Sequence, residues 1–485
     1  MSEKKTKYIT TTLPYVNDIP HMGHAMEFVQ ADVLARYYRI LGHEVFFSTG
    51  TDEHGQKIAQ KADEAGIDRQ AYVDKYAAEF KRLQTALNIS NDKFIRTTDE
   101  VHKMAAAEMW RLCTEAGDIY KKSYKGLYCV GCEAFKTEAD LVDGKCPDHL
   151  KAPEEIEEEN YFFRLSKYQS YLEEYLADET ATVPNWRRLE LLNFVQKGLE
   201  DLSISRQKSR MDWGIPVPDD AEHVMYVWFD ALTNYISTLG WPTDAEGNFA
   251  KFWEQGDTLQ LAGKDQLRFQ SVIWQAMLKS AGLPATKKIF YHGFINVDGQ
   301  KMSKSIGNVI SPYELIERYG TDATRYILLR HVHPVDDSDI TWEKMDEWYT
   351  ANLVNGLGNL VARVMKMAEV YIQDDFDIKN AIENWDYIYS DNFMNRINDF
   401  NFYEALNLVW LNIQKADELI TDTEPFKVVK NDLEAGKALI KVLLEMLFLI
   451  SKRLEPFMPE TSKAIIDSIE QNKKPENLFP RLDSK

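Results

Sequence analysis

Cysteine is scarce: there are four among 485 residues, and three of them fall together at Cys129, Cys132 and Cys146. So few thiols exclude a disulfide-stapled scaffold and suit a reducing compartment, where clustered cysteines hold metal more often than they pair with one another. Positive charge is in deficit, with 57 Lys and Arg against 77 Asp and Glu for a formal net charge of −20. That excludes a general coat for nucleic acid, because non-specific affinity for phosphate backbones comes from surplus cations. A local basic stretch remains at "KGLEDLSISRQKSR", residues 197–210, which suits either a partner face or a solvated helix and loop. Long apolar runs are missing as well. The longest, around "ALIKVLLEMLFLI" at 438–450, contains Lys441 and Glu445 and is too short to span a bilayer. The opening "MSEKKTKYIT" has no apolar core ahead of a small-residue cleavage site, so no secretory signal is read there. A soluble cytoplasmic protein with no membrane partner is expected.

The composition, 44% hydrophobic and 28% charged, is that of an ordinary globular chain. Its length exceeds what one core serves, so about two to four structural units are expected. Residues 7–12, "KYITTT", read as a strand. From His21 the apolar positions Met22, Met26, Val29, Val33, Leu34, Tyr37 and Leu41 recur at helical spacing until Gly42. "EVFFSTG" at 44–50 then reads as a second strand, which completes a strand, helix, strand unit of a parallel sheet. Residues 53–115 read as helical. Residues 116–224, rich in glycine, cysteine and short strands, read as an insertion. Strand-like segments return at 223–230, 259–263 and 288–295, so the α/β sheet is expected to resume there. From about residue 350 helical periodicity dominates and predicts a bundle.

"CVGC" and, thirteen residues on, "CPDH" place Cys129, Cys132, Cys146 and His149 as two paired-ligand knuckles. Three thiolates and one imidazole at this spacing can wrap one tetrahedral zinc, and four protein ligands leave no position for a catalytic water, so the ion is expected to be structural. Cys113, within a helical pattern, reads as core.

"LPYVNDIPHMGH", residues 13–24, sets His21, Gly23 and His24 where a strand ends and a helix begins. Such a turn offers unpaired N–H groups and a positive dipole end to an anion. Histidines three apart project from one side of the first turn and can donate to phosphate oxygens, while the glycine lets a flat base or ribose approach. Alone, the motif fits a helix-capping histidine equally well. A second stretch, "GFINVDGQKMSKSIGN" at 293–308, holds Lys301, Ser303, Lys304 and Ser305 beside glycines. Lysines there could neutralise a triphosphate and favour the charge that grows on a leaving pyrophosphate.

Together HMGH and KMSKS resemble the two signature motifs of class I aminoacyl-tRNA synthetases. "LPYVN", "TGTDEHG", "YVWFDALTNY", "AGKD", "HGFINVDGQKMSKS" and the zinc knuckles narrow the likeness to the methionyl-tRNA synthetase family of the bacterial single-knuckle type. The resemblance covers nearly the whole chain. It implies an α/β Rossmann-like catalytic domain with an inserted zinc-binding connective domain, followed by an α-helical anticodon-binding bundle. The implied boundaries are 1–115 and 225–325 for the catalytic halves, 116–224 for the insertion, 326–350 for a stem-contact linker and 351–485 for the bundle.

By the same resemblance the chain adenylates L-methionine with ATP and transfers the aminoacyl group to the terminal adenosine of tRNA(Met), with Mg2+ accompanying ATP and no DNA partner. His21, Gly23, His24, Gly263, Asp265, Lys301, Ser303 and Lys304 are implied at ATP. His21, His24, Lys301 and Lys304 carry the catalysis. Leu13, Tyr15, Asp52, Trp228, Ala231, Tyr235, Gln270 and Trp274 are implied at methionine. Asp52 suits the α-ammonium and the aromatic rings suit a thioether. Gln270 stands where most relatives carry histidine, and it cannot titrate near neutrality. Asn359 and Arg363 in "NGLGNLVARV", with Phe426 in place of the usual tryptophan, are implied at the anticodon. One methylene discriminates by only about 1–3 kcal/mol, so homocysteine should be imperfectly rejected and edited. With no appended tRNA-binding domain after the bundle, a monomer is expected. Rival readings are another class I synthetase, an HxGH nucleotidyltransferase without tRNA, or a zinc-stabilised RNA-binding module.

Overall fold

The computed structural model describes residues 5–129, 134–136, 138–147, 150–243, 247–302, 309–372 and 389–482. The chain divides into two compact units. One comprises Met1–Pro20, Tyr38–Arg82 and Ser90–His292, and the other His21–Tyr37, Leu83–Ile89 and Gly293–Lys485.

The first unit is built on a six-stranded, all-parallel sheet in the order Lys93–Arg96, Glu44–Thr51, Thr6–Thr10, Asp257–Gly263, Lys288–His292, Thr182–Val183. Parallel strands are buried on both faces, hence near-continuous runs such as "VFFSTG" and "LQLAG" rather than strict alternation. From Thr6–Thr10 the chain steps one way to Glu44–Thr51 and Lys93–Arg96, and later the other way to Asp257–Gly263 and Lys288–His292. The reversal between Thr6–Thr10 and Asp257–Gly263 is a topological switch point, and ligands of open α/β sheets bind at the carboxyl ends of the strands there. Trp253, Trp274, Tyr8 and Tyr291 are among the large side chains buried in this unit's core.

Three local readings are corrected. Within 53–115, Lys93–Arg96 is the edge strand of the parallel sheet, between helices Arg69–Ala86 and Glu100–Glu115. Four residues at an edge, two of them charged, leave almost no periodicity to read. The segment 223–230 does not rejoin the parallel sheet. Asp220–Met225 pairs antiparallel with Ser205–Gln207 and Pro216–Val217, and Val227–Leu232 is helical. A short apolar run cannot by itself separate strand from buried helix. Finally, 288–295 is two strands, Lys288–His292 in the parallel sheet and Ile295–Val297 in a three-stranded sheet of the second unit with Gln300–Lys301 and Ser338–Ile340. Gly293 stands at the break, where a Cβ would lie 2.4 Å from the backbone of Asp336.

Between the early and late strands of the parallel sheet, a four-stranded antiparallel sheet runs Ala134–Lys136, Ile119–Cys129, Glu154–Phe163, Leu202–Ser203. The same stretch also supplies Thr182–Val183 to the edge of the parallel sheet, which its sequence does not foretell.

The second unit is mostly helical. Helix Pro312–Tyr319 starts with proline at its first position and a capping box, in which Ser311 accepts from Tyr313 N–H and Glu314 accepts from Ser311 N–H. Long amphipathic helices Phe402–Thr423 and Leu433–Leu454 bury one stripe each, for example Ile440, Leu443, Leu444, Leu447 and Ile450 on the latter. A fully buried ion pair ties this unit internally: the Arg325 guanidinium lies 2.7 Å from Asp32 and donates to the carbonyls of Leu87, Pro456 and Phe457. No helix among the described residues is long and apolar enough to cross a membrane.

Candidate functional site

Helix Met22–Ile40 begins directly after His21, whose carbonyl accepts from Ala25 N–H. The His21 Nδ1 accepts from Gly23 N–H at 3.1 Å, and the His24 Nδ1 accepts from His21 N–H at 3.2 Å. The two rings stack at 3.7 Å with 19° between their planes. Each Nδ1 is thus an acceptor, so in the neutral ring the proton sits on Nε2. A Cβ on Gly23 would come within 3.0 Å of the His21 ring, so glycine is what allows the ring to fold onto the helix start. Two Nε2–H donors at a helix N-terminus form a device for an anion.

In the same unit, Lys301 ends strand Gln300–Lys301 and pairs with Asn296; only its backbone is described. Ser303 and Lys304 lie outside the described residues. Asn359 opens helix Asn359–Tyr371, and Arg363, one turn on, reaches Asp417 at 2.9 Å. Burial raises the Asp417 carboxyl's pKa and the Arg363 guanidinium works against it. A groove of about 640 Å³ beside this pair is lined by Arg330, Asn407, Trp410, Gln414 and Asp417. Phe426 sits on a separate short helix, Pro425–Asn431, exposed, with the Lys427 ammonium 6.0 Å from its ring centre.

In the first unit, Gly263 closes its strand opposite His292, and a Cβ there would lie 2.5 Å from Asp265 Oδ1. The glycine therefore keeps Asp265 close to the carboxyl end of the strand, beside the switch point. Tyr15 and Asp52 are joined through the backbone just after Leu13: Asp52 N–H donates to Pro14 C=O, Val16 N–H donates to Asp52 C=O, and Tyr15 and Asp52 form a parallel bridge. The Asp52 side chain is buried.

Trp228 and Ala231 lie on helix Val227–Leu232, and Tyr235 follows on Asn234–Ser237. Trp228 is partly exposed and stacks on Phe269 at 3.9 Å, a partner that adjoins Gln270 in sequence and was not singled out there. Gln270 and Trp274 lie on a π-helical turn, Phe269–Trp274, and both are buried. The Gln270 amide donates to the Tyr235 hydroxyl, the Tyr235 ring lies 5.9 Å from Trp274, and Tyr8 donates to Tyr235 C=O at 2.8 Å. The structure thus gathers Tyr235, Gln270 and Trp274 in one cluster and Tyr15 and Asp52 in another.

The link between these clusters is a set of residues that sequence reasoning missed. Asp230, between Trp228 and Ala231, is fully buried and lies 2.7 Å from both His54 Nδ1 and His102 Nε2; His102 Nδ1 meets Ser237 Oγ at 2.9 Å. Burial opposes ionisation of Asp230, but the two imidazoles outweigh it, His54 first, and hold the carboxyl below the usual carboxylate range.

Of the metal candidates, Cys129 ends its strand paired with Ala134, and Cys146 accepts from Leu150 N–H at its carbonyl. Both thiols are buried. Cys132 and His149 lie outside the described residues, and among the described residues no group of three metal-ligating side chains occurs. Cys113 is a core residue: burial, opposed by a Ser280 hydrogen bond, pushes its thiol up to about 12.

Comparison with known proteins places these features in context. The family model for class I tRNA synthetases (M) matches residues 7–155 and 149–365. The chain is 40% identical to the methionine–tRNA ligase of Caldanaerobacter subterraneus subsp. tengcongensis over 99% of its own length and 79% of that protein's. It is 41% identical to that of Thermotoga maritima over 96% and 76%. Among solved structures, Mycobacterium tuberculosis methionyl-tRNA synthetase in complex with methionyl-adenylate superposes with a TM-score of 0.88 at 38% identity, over 96% of this chain and 93% of that one. The apo form of the same enzyme gives 0.83 at 34% identity, over 100% and 99%.

Proposed function

The chain belongs to the class I aminoacyl-tRNA synthetases of the methionine branch, and we infer that it is a methionine–tRNA ligase: it activates L-methionine with ATP and charges tRNA(Met). The fold is that of the class, a parallel-sheet α/β core with a C-terminal helical region. The observation that carries the reading is the stacked His21–His24 pair, with both Nε2–H groups presented at a helix N-terminus, in a chain whose family match runs from residue 7 to 365. The rival readings, another class I synthetase, an HxGH nucleotidyltransferase or a non-catalytic RNA-binding module, do not account for that match.

In this reading a methionine carboxylate oxygen attacks the α-phosphorus of ATP, and the bond to the β-phosphate oxygen breaks with release of pyrophosphate. A ribose hydroxyl of the terminal adenosine then attacks the methionyl carbonyl, and AMP leaves. The protein forms no covalent bond in either step, so its contribution is positioning and electrostatics. His21 and His24 donate to phosphate oxygens through Nε2. Lys301 and Lys304, with Ser303, offset the charge on pyrophosphate, and Gly263 and Asp265 adjoin the nucleoside. Mg2+ enters with ATP as part of the substrate.

Asp52 meets the methionine α-ammonium, a role its burial and its backbone clamp beside Leu13 and Tyr15 support. Trp228, Ala231, Tyr235, Gln270 and Trp274 meet the side chain, which the aromatic and amide cluster around Tyr235 supports. Asn359, Arg363 and Phe426 are assigned to the anticodon, with exposure of Phe426 as the supporting feature. The five-part division at 115, 224, 325 and 350 is adopted with these roles. Cys129, Cys132, Cys146 and His149 are assigned to one structural zinc. Two buried thiols, one at the end of strand Ile119–Cys129, fit a thiolate site, which would tie the end of that strand to the Cys146 segment. The activity is assigned to the cytoplasm.

ATP–pyrophosphate exchange with each of the twenty amino acids tests the reading. Exchange with methionine alone is expected; exchange with another amino acid only, or with none added, overturns it.

A further inference from the structure

The first unit contains a buried charge that the proposed reaction does not use. Asp230 has no exposed surface, and its two carboxylate oxygens are divided between two imidazoles: Oδ2 accepts from His54 Nδ1 and Oδ1 from His102 Nε2, each at 2.7 Å. Both histidines are themselves buried. A buried carboxylate is costly unless paired and hydrogen-bonded, so its partners fix its place closely.

The segments this carboxylate joins are those that carry the methionine-side residues. Asp230 is flanked by Trp228 and Ala231 on one short helix. His54 lies two residues beyond Asp52, in a loop held from both sides. Trp213 packs edge-on to the His54 ring at 5.7 Å, donates through Nε1 to Glu53 C=O at 2.6 Å, and accepts Gly55 N–H at 3.0 Å. The Glu53 carboxylate is clamped by Arg96 at 2.7 and 2.9 Å. His102 rests on helix Glu100–Glu115 and reaches Ser237, two residues after Tyr235. One carboxylate therefore registers the Asp52 loop, the Trp228 helix and the Tyr235 helix against one another.

We propose that Asp230, held between His54 and His102, is a positioning residue for the amino-acid pocket, setting the distance between the carboxylate that meets the α-ammonium and the aromatic groups that meet the side chain. The inference rests on the methionine assignment above. Asp230 touches no substrate in this scheme. It acts through the elements that do.

The test is steady-state ATP–pyrophosphate exchange on the full chain, with the KM for methionine and for ATP measured separately. Asp230→Asn and His54→Ala should each raise the methionine KM by about tenfold, the effect of losing one hydrogen bond to a charged group, with the ATP KM within about twofold of wild type. His54→Asn puts an amide N–H near the position of Nδ1, and His102→Gln does the same for Nε2, so both should recover most of the methionine KM. Should Asp230→Asn fail to fold, the His54→Ala and His54→Asn pair carries the test alone. Equal changes in both KM values, or a His54→Asn variant no better than His54→Ala, overturns the positioning role. A wild-type chain that exchanges pyrophosphate with no dependence on methionine removes the methionine assignment itself, and the proposal with it.

Discussion

Arg325→Met is the sharpest test of what holds the second unit together. The native guanidinium has no exposed surface. It lies 2.7 Å from Asp32 and donates to Phe457 C=O at 2.8 Å and to Leu87 and Pro456 C=O at 3.1 Å each. Methionine keeps the stem volume and deletes every donor. Removing one partner of a buried pair costs about 3–5 kcal/mol, because the other charge stays buried. Asp32 keeps one partner, Arg36 Nε at 2.7 Å, which favours the lower end of that range. The carbonyls left behind add about 1 kcal/mol each where water cannot reach them. The pair alone, at about 3–4 kcal/mol, corresponds to about two to three powers of ten in an opening equilibrium, and the carbonyls only add to it. Native-state hydrogen exchange reads this locally and does not require all-or-none unfolding of a chain with two units. Amides of Met22–Tyr37 and Thr321–Arg330 should lose about two to three powers of ten in protection. The double variant Asp32→Asn, Arg325→Met should recover at least about tenfold of that loss, since no fully buried uncompensated charge then remains and the partly exposed Arg36 is solvated. A loss below tenfold in the single variant, or no recovery in the double, refutes the electrostatic account.

Three further outcomes are expected. His331 lies flat on Trp348 at 4.2 Å, and burial, then the Arg330 cation, pulls its pKa down to about 3. Because the folded value lies below the ordinary value of about 6.5, the neutral ring's contribution to stability is complete above about pH 6.5 and is lost as pH falls toward 3. Urea titrations from about pH 7 to pH 4 should show that decline flattened in His331→Gln, and an unchanged slope counts against it. Gly23→Ala places a methyl 3.0 Å from the His21 ring and displaces it. Exchange activity should fall about five- to tenfold, while thermal stability holds or rises by up to about 1 kcal/mol from better helix propensity; unchanged activity removes the packing argument. Purified protein should contain about one zinc per chain by atomic absorption, and Cys129→Ser should lose it. A wild-type chain without zinc ends the metal assignment.

Much of the frame was legible because it is written in local chemistry. The stop at Gly42, with φ of +81°, and the helical spacing from Met22 mark the boundaries of helix Met22–Ile40 and strand Glu44–Thr51 within a residue or two. What escaped was decided at a distance. Lys93–Arg96 becomes a strand because Glu44–Thr51 offers it an edge, and its own four residues carry no pattern. Asp230 sits in the apolar run "VMYVWFDAL", which suggests core packing. It is held there by histidines 176 and 128 positions away. Likewise, Arg363 could be singled out by motif, but its pairing with Asp417, 54 positions on, could not. Motifs reveal which residues carry chemistry, and tertiary partners determine which others hold them.

The His21–Gly23–His24 turn shows how closely those two kinds of information can overlap. Its hydrogen bonds have the logic of a capping box: the residue before the helix accepts from an N–H in the first turn, and a residue three positions on accepts from the N–H of the first. Ser and Glu ordinarily fill these positions, as Ser311 and Glu314 do here. With histidines the caps use Nδ1, and the neutral ring carries its proton on Nε2. Structure and catalysis are therefore separable at the same two residues. A His21→Ser, His24→Glu double variant rebuilds an ordinary capping box and deletes both outer donors. Its helix should be as stable as the native one within about 1 kcal/mol by thermal unfolding. Its exchange activity should fall by at least about 10²-fold, the usual effect of losing a single preorganised donor. Loss of both together would show the histidines to be structural caps, and retention of activity would show that the Nε2 donors do not act on the phosphates.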